Sequence, residues 1–404
     1  MSSDLIVFNG TILSLRSPRE IFRWMALKDG RILARGVEES FIPYLGENTE
    51  VLDLKGLTVV PGFYDSHVHL VQSGLNTFGI DLREVTTIGK ILELIKEKTL
   101  TLPKGQLIRG YHLDVTRIEE KRFPTRQEID QASPEHPVWI NSIEYHTSAV
   151  NTLALNSVNL PYNIDGIKRD ERSLPLGYFT GKASAYIRNR LLAQIDATTR
   201  EEGVLIRIDQ AIRQGITTID AMEGGFTFHE EDARFIAVHR NKYPIDIHLF
   251  YQSFDLEKAR TLGVDAIGGD IFIDGAFNSR TAAISKKYLD MDTCGNLYFN
   301  QDELDYFVMK TVEEGWQLSL HAIGDRAIEQ TLKAYERAYE AHGSLRRCRI
   351  EHFELASMNQ MKRAGQLGLI ISVQPSFEYF WGYPGGMYDK RLDPSLSSIT
   401  NNFR

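Results

Sequence analysis

From Val59 onward the sequence alternates between short apolar, strand-like runs and amphipathic helical segments, and this rhythm constrains the fold more than any other feature. The runs read as VLIRIDQAIRQG then ITTIDAM; IDIHLFYQ; IFIDGAF; LDYFVMKTVEEG then WQLSLHAIG; AIEQTLKAYERAYEAHG then RCRIEHFEL; and MNQMKRAGQLG then LIISVQPSF. With VVPGF counted first they make seven strands, and helices between consecutive strands predict a parallel sheet covered on its outer face. A (β/α)8 barrel needs one strand more. Between the first and second strands lies an insertion, about residues 75 to 200, with strands of its own around LIRGYHL and HPVWINSI. It reads as a lid or subdomain over the barrel mouth. Residues 1–58 read instead as a small β module, with Asn9-Gly10 and Asp29-Gly30 as hairpin turns, and residues 59–404 as the barrel domain.

Composition matters here for what it excludes. The net charge is −8 and no run of Lys and Arg forms a phosphate-binding stripe, which argues against a nucleic-acid partner. No stretch approaches the roughly 20 apolar residues of a membrane span, and MSSDLIVFNGTILSL lacks the features of a secretory signal, so the expectation is a cytoplasmic protein off the membrane. Two cysteines, Cys294 and Cys348, build neither a disulfide framework nor a Cys-rich zinc site. Any metal must be held by histidine and carboxylate.

The histidines fall where such a site needs them. Catalytic groups of a parallel barrel gather at the carboxyl ends of its strands. His67 and His69 follow the first strand, two residues apart and therefore on one side of an extended chain; His321 ends WQLSLHAIG and His352 ends RCRIEH. Four imidazoles at equivalent positions on three strands predict a metal site, with zinc favoured among divalent ions.

The elements VVPGFYDSHVHL, IFIDGAFNSRTAA, LHAIGDRAI, RIEHFELA and SVQPSF, in this order and with HTSAVNTLAL in the insertion, resemble the amidohydrolase superfamily, in particular the branch containing N-substituted formamide deformylase. The resemblance implies an α/β fold, a distorted (β/α)8 TIM barrel beside a β-sandwich, and hydrolysis of C–N bonds of a small molecule by a metal-activated water. It also implies His67 and His69 as first-strand ligands and His321 and His352 as those of the fifth and sixth strands. A homo-oligomer is compatible with it.

Two positions depart from the family pattern. The fourth-strand lysine, carboxylated in bridged two-metal members, has no counterpart in GGDIFIDGAFNSR; Asp270 stands where it is expected, with Asp274 the rival carboxylate and an exposed Asp270 ahead of the strand the other reading. An aspartate is too short to bridge two ions without an inward backbone shift, which favours one ion over two. The family's eighth-strand aspartate is absent, since the sequence stops at ITNNFR after the seventh strand, and the expectation is a fragment.

For proton transfer to the leaving nitrogen the candidates are His146 and Asp325, the latter with helix capping as its other reading. Arg280 either orients a substrate carboxylate or pairs with a structural acid, and Asp65 either supports the ligands or caps its turn. The rings of Phe377, Tyr379, Phe380 and Trp381 suit an apolar or aromatic substrate group. The reading is therefore a metal-dependent amidohydrolase; the alternatives are a hydrolase of an ester bond and an inactive relative used as a binding or assembly module.

Overall fold

Seven parallel strands, neighbours in the sheet in the same order as in the sequence, form the frame of the larger unit: β1 (Phe63–Val68), β2 (Ile216–Glu223), β3 (Asp246–Tyr251), β4 (Ala266–Phe272), β5 (Leu318–Ala322), β6 (Arg349–His352) and β7 (Ile370–Ser372). The computed structural model describes residues 2–17, 20–143, 145, 147–225 and 227–402. The sheet curls far enough that Ser66 Oγ of β1 and Ser372 Oγ of β7 meet at 3.2 Å, while Arg349 Nη2 of β6 donates to the Ser66 carbonyl at 2.6 Å. This is a distorted (β/α)8-type barrel, nearly closed by seven strands.

The helices that cover it follow from their sequences. Asp325–His342 places Ile328, Leu332 and Tyr335 on one buried stripe at i, i+4 and i+7, and stops at Gly343, whose φ of 71° is the left-handed conformation of a helix C-cap. The helix Gln301–Glu313 starts on a capping box in which Asn300 accepts from the Glu303 N–H and Glu303 accepts from the Asn300 N–H.

The strand at the centre of the site departs from the sequence reading. The apolar run IFIDGAF points to a strand from Ile271, but β4 is Ala266–Phe272 and its ladder with β5 shifts register between Gly268 and Phe272. Gly268 and Gly269, at φ 90° and 95°, make that shift; a Cβ on Gly268 would lie 1.9 Å from the Ser319 carbonyl oxygen. Asp270 thus stands inside the strand, buried, rather than exposed ahead of it.

The insertion builds its own six-stranded sheet, in the order Ile167–Arg169, Pro175–Thr180, Thr147–Val150, Val138–Ser142, Ile108–Leu113 and Ile80–Asp81. Its core joins Ile91 and Ile95 of the helix Ile88–Thr99 to Ile108, Val138 and Ile140 of the sheet.

The chain folds as two compact units, Met1–Tyr64 with Gly215–Thr217, and Asp65–Gln214 with Thr218–Arg404. In the smaller unit Leu5–Leu13 lies antiparallel to Ile21–Lys28 and parallel to Glu50–Asp53 and Thr58–Val59. Asp29-Gly30 turns the hairpin to Arg31–Gly36, both residues at positive φ. Asn9-Gly10 turns no hairpin. It forms a bulge within Leu5–Leu13, where a Cβ on Gly10 would sit 2.5 Å from the Leu57 carbonyl oxygen. Among the described residues no helix is long and apolar enough to cross a membrane.

Candidate metal centre

His67 near the end of β1, Asp270 in β4, His321 in β5 and His352 at the end of β6 converge with His69, which follows β1 and opens the helix Leu70–Asn76. Asp270 is their common neighbour. Its Oδ2 lies 2.8 Å from His69 Nε2 and 3.6 Å from His67 Nε2; its Oδ1 lies 3.2 Å from both His321 Nδ1 and His352 Nε2. Ligating atoms of His67, Asp270 and His352 all lie within 4.8 Å of one another.

The outer ring nitrogens reveal what this arrangement demands. His69 Nδ1 donates to the Met222 carbonyl at 2.9 Å, His321 Nε2 to the Gly275 carbonyl at 3.2 Å, His67 Nδ1 to Glu351 Oε2 at 2.8 Å, and His352 Nδ1 to Gln374 Oε1 at 2.6 Å. A neutral imidazole that donates through one nitrogen has only a lone pair on the other. Four neutral rings would aim four lone pairs at a carboxylate, so the cluster needs positive charge at its centre. Outer acceptors that orient ligating histidines are a recurrent feature of metal sites, and the donor set suits a divalent ion such as zinc.

The protein alone meets the demand with protons. Burial would lower the His67 pKa, but Asp270, and after it Glu351, raise it to about 10. His352 is raised too, against its burial, by Asp270, whereas burial and His352 lower His321. Burial would raise the Asp270 carboxyl; His67, His321 and His352 outweigh it and hold the group well below the ordinary carboxylate value.

Asp274 does different work. Fully buried just beyond β4, it accepts from the backbone N–H groups of Ala283, Ile323 and Gly324 at 2.8, 3.0 and 2.8 Å. Burial lifts its carboxyl to about 7 even so. It ties the loop after β4 to the turn after β5, and His321 Nε2 comes no nearer than 3.7 Å.

The cluster forms one end of a cavity of about 410 Å³ with largely apolar walls, among them Phe228, Phe272, Phe277, Phe377 and Trp381. Pro375–Trp381 is a helix, so Phe377 and Trp381, four residues apart, share the face that lines the cavity. Tyr379 and Phe380 point away, 79% and 60% exposed.

Neither Asp325 nor Arg280 is brought to this cavity. The chain leaves β5 through Gly324, the N-cap, and Asp325 is the first residue of the following helix; its Oδ1 accepts from the Ser285 N–H at 2.8 Å instead of capping its own helix. Arg280 pairs with Asp290 at 2.5 Å, the structural-acid reading, and lines a separate cavity. Asp65 lies within β1, and its Oδ1 accepts from the His67 backbone N–H at 3.3 Å, so it acts on the strand backbone and neither caps a turn nor bonds a ligand ring. His146 lies outside the described residues; Ile143 and Tyr145 of the same segment line the cavity.

Several groups at the site had no sequence signal. Met222 O is an orienting acceptor from a strand position with no motif of its own, Gln374 lies within SVQPSF without being singled out there, and Arg188 and Phe228 reach the cavity from distant segments. Glu351 could have been found from its place beside His352. Neighbours in a strand face opposite ways, but His352 leaves the strand at φ 68°, so both side chains serve the cluster.

A family model described as "Amidohydrolase family" matches residues 50–400. Protein LONG AFTER FAR-RED 3 of Arabidopsis thaliana is 30% identical over 399 residues, 92% of this chain and 68% of that protein. N-substituted formamide deformylase of Arthrobacter pascens is 26% identical over 412 residues, covering 94% and 74%. A solved structure described as an uncharacterized metal-dependent hydrolase from Pyrococcus furiosus shares the fold, with a TM-score of 0.77 at 24% identity over 98% of this chain and 81% of that one.

Proposed function

The chain belongs to the amidohydrolase family, and from that premise we propose that it hydrolyses a C–N bond of a small amide, using one divalent ion, preferably zinc, held by His67, His69, Asp270, His321 and His352. The observation that carries the reading is the charge balance of the cluster: four imidazoles with their outer nitrogens already bonded face one carboxylate. The name of the deformylase relative supports the choice of an amide.

Bound there, such an ion supplies a Lewis acid and a water activated near neutral pH. The remaining work falls to the chain itself. Met222 O, Gly275 O, Glu351 and Gln374 keep the ligand nitrogens aimed, so no side chain has to reorganise during reaction. Phe228, Phe377 and Trp381 exclude bulk water from the reacting amide. We assign the proton for the leaving nitrogen to the His146 imidazole, whose neighbours Ile143 and Tyr145 line the cavity.

A two-ion reading is favoured by one observation, that Asp270 Oδ2 faces His67 and His69 while Oδ1 faces His321 and His352. Elemental analysis of the zinc-loaded chain decides between them: about one equivalent supports the single ion, and about two supports the two-ion reading. The same preparation, assayed on N-benzylformamide and on benzyl formate, tests the bond. Zinc-dependent cleavage of the amide that disappears in His67→Ala supports the proposal; cleavage of the ester alone moves the reading to ester bonds, and a folded chain that takes up no zinc overturns it.

A further inference from the structure

The cavity holds a second charge that the metal chemistry does not use. Arg188 lies on the buried stripe of the helix Gly181–Leu192, in register with Ser184, Ile187 and Leu191, where an apolar residue would be expected, and it is 7% exposed. Its Nη1 donates to the Tyr145 carbonyl at 2.5 Å. Its buried Nε has no partner, and among the described residues Nη2 makes no hydrogen bond and no carboxylate pairs with the guanidinium. Two other buried arginines show the usual arrangement: Arg200 is paired with Asp232 at 2.9 Å and Arg349 with Glu351 at 2.7 Å.

Burial pushes the Arg188 pKa down to about 10, opposed among the described residues by the Tyr145 phenol, so the group is still a cation at neutral pH. A buried charge without a counter-ion is costly. The unused donors, Nε–H and Nη2–H, lie along one edge of the guanidinium, the fork that meets both oxygens of a carboxylate. That edge belongs to a residue lining the same cavity as the histidines. Phe228 measures the separation: its ring centroid is 4.9 Å from that of His69 and 5.8 Å from Arg188 Cζ, so one aromatic ring lies between the cation and the cluster.

We propose that Arg188 is a specificity-determining residue that binds a carboxylate on the substrate, making the substrate class a carboxylate-bearing amide with an apolar or aromatic group. The inference rests on the hydrolase reading for the word substrate. The amide lies at the histidine cluster, the carboxylate closes on the Nε/Nη2 edge, and the apolar part packs against Phe377 and Trp381.

Calorimetric titration of the metal-free full chain with 3-phenylpropanoate and with its neutral isostere 3-phenylpropanamide tests this without catalysis. The carboxylate should bind at least about tenfold more tightly, as a charge-assisted fork requires. In Arg188→Met that preference should vanish through loss of carboxylate affinity alone; in Arg188→Lys it should be weakened, and in His67→Ala it should persist. Equal affinities in the parent, binding of neither probe, or a preference that survives in Arg188→Met would overturn it, and should the methionine variant not fold, a preference unchanged in Arg188→Lys or lost in His67→Ala would overturn it instead. The two readings fail separately. Zinc-dependent cleavage of N-benzylformamide with no carboxylate preference would leave the hydrolase standing and sink this inference, whereas an Arg188-dependent preference in a chain that cleaves no amide would leave the anion site and sink the hydrolase.

Discussion

Asp270 and Asp274 lie four residues apart, are 6% and 0% exposed, and differ in what faces them. Asp274 meets three backbone N–H groups, donors that cannot change protonation state, and is satisfied as it stands. Asp270 meets four imidazoles whose outer nitrogens are already committed, and is satisfied only when positive charge enters the cluster. The contrast separates a carboxylate that holds the fold from one that creates a demand the fold leaves open. Removal of Asp274 should therefore have the largest effect on stability. Asp274→Ala orphans three buried donors at about 1–3 kcal/mol each, and partial relaxation brings the expected loss to about 4 kcal/mol in urea denaturation of the metal-free chain. Asp270→Asn should cost less than that at pH 10, where the proton that Asp270 holds on His67 is being lost, and more as pH falls toward 6.5; a cost that stays flat with pH would break the distinction.

Zinc sharpens it. A ligand that binds only the folded state stabilises by about 2.7 kcal/mol at 100 times its dissociation constant. The parent should gain that much in thermal or urea unfolding with added zinc, and so should any Asp274 variant that still folds. Asp270→Asn should gain almost nothing. A gain of parent size in Asp270→Asn would remove Asp270 from the metal site.

The same contrast explains how much could be read from the sequence. His67, His69, His321 and His352 were legible because period-two alternation and the βα rhythm fix where side chains at strand ends point, and the structure brings all four together. The family motifs were legible by resemblance, not by periodicity. Asp270 was left between two readings because the Gly268-Gly269 bulge moves the strand upstream of its apolar run, and no local pattern announces a bulge partner on the neighbouring strand. Asp325 was misplaced by proximity to His321 in the sequence: the helix start carries it to the Ser285 amide instead. Arg188 and Phe228 gave no signal, since their contribution depends on how the segments from Gly181 to Phe228 return to the cavity, a tertiary fact.

Glu351 stands between the two aspartates in kind, for it touches a proposed ligand without facing the centre. It is fully buried, accepts from His67 Nδ1 and from the Ser319 hydroxyl, and is ion-paired with Arg349 Nη2 at 2.7 Å. Glu351→Gln keeps the shape and removes the charge that orients His67. Zinc affinity should fall about 10- to 100-fold, equivalent to about 1.4–2.7 kcal/mol, with less change in the unfolding of the metal-free chain than Asp274→Ala shows. An unchanged zinc titration would mean that His67 is held by its strand alone.

The smallest expected effect comes from a carboxylate that, like Asp274, accepts from a backbone N–H but is paired with a guanidinium and lacks its burial. Glu128 closes the capping box of the helix Arg126–Ala132, accepting from the Thr125 N–H at 2.6 Å, and pairs with Arg122 at 2.8 Å, with its side chain 31% exposed. The Arg122 hydrogen bond leads the causes that lower its pKa from 4.5 to about 2. Because the folded value is the depressed one, its stabilisation is complete above pH 4.5 and is lost as pH falls from there toward 2. Solvent screening limits the worth of such a pair to under about 1 kcal/mol. Urea titrations of the parent and Glu128→Gln should thus differ by that amount at neutral pH and converge as the solution is acidified through this window. A constant gap across the window would assign the effect to side-chain packing, and a gap as large as that of Asp274→Ala would mean that partners, and not burial, set what a carboxylate contributes to this fold.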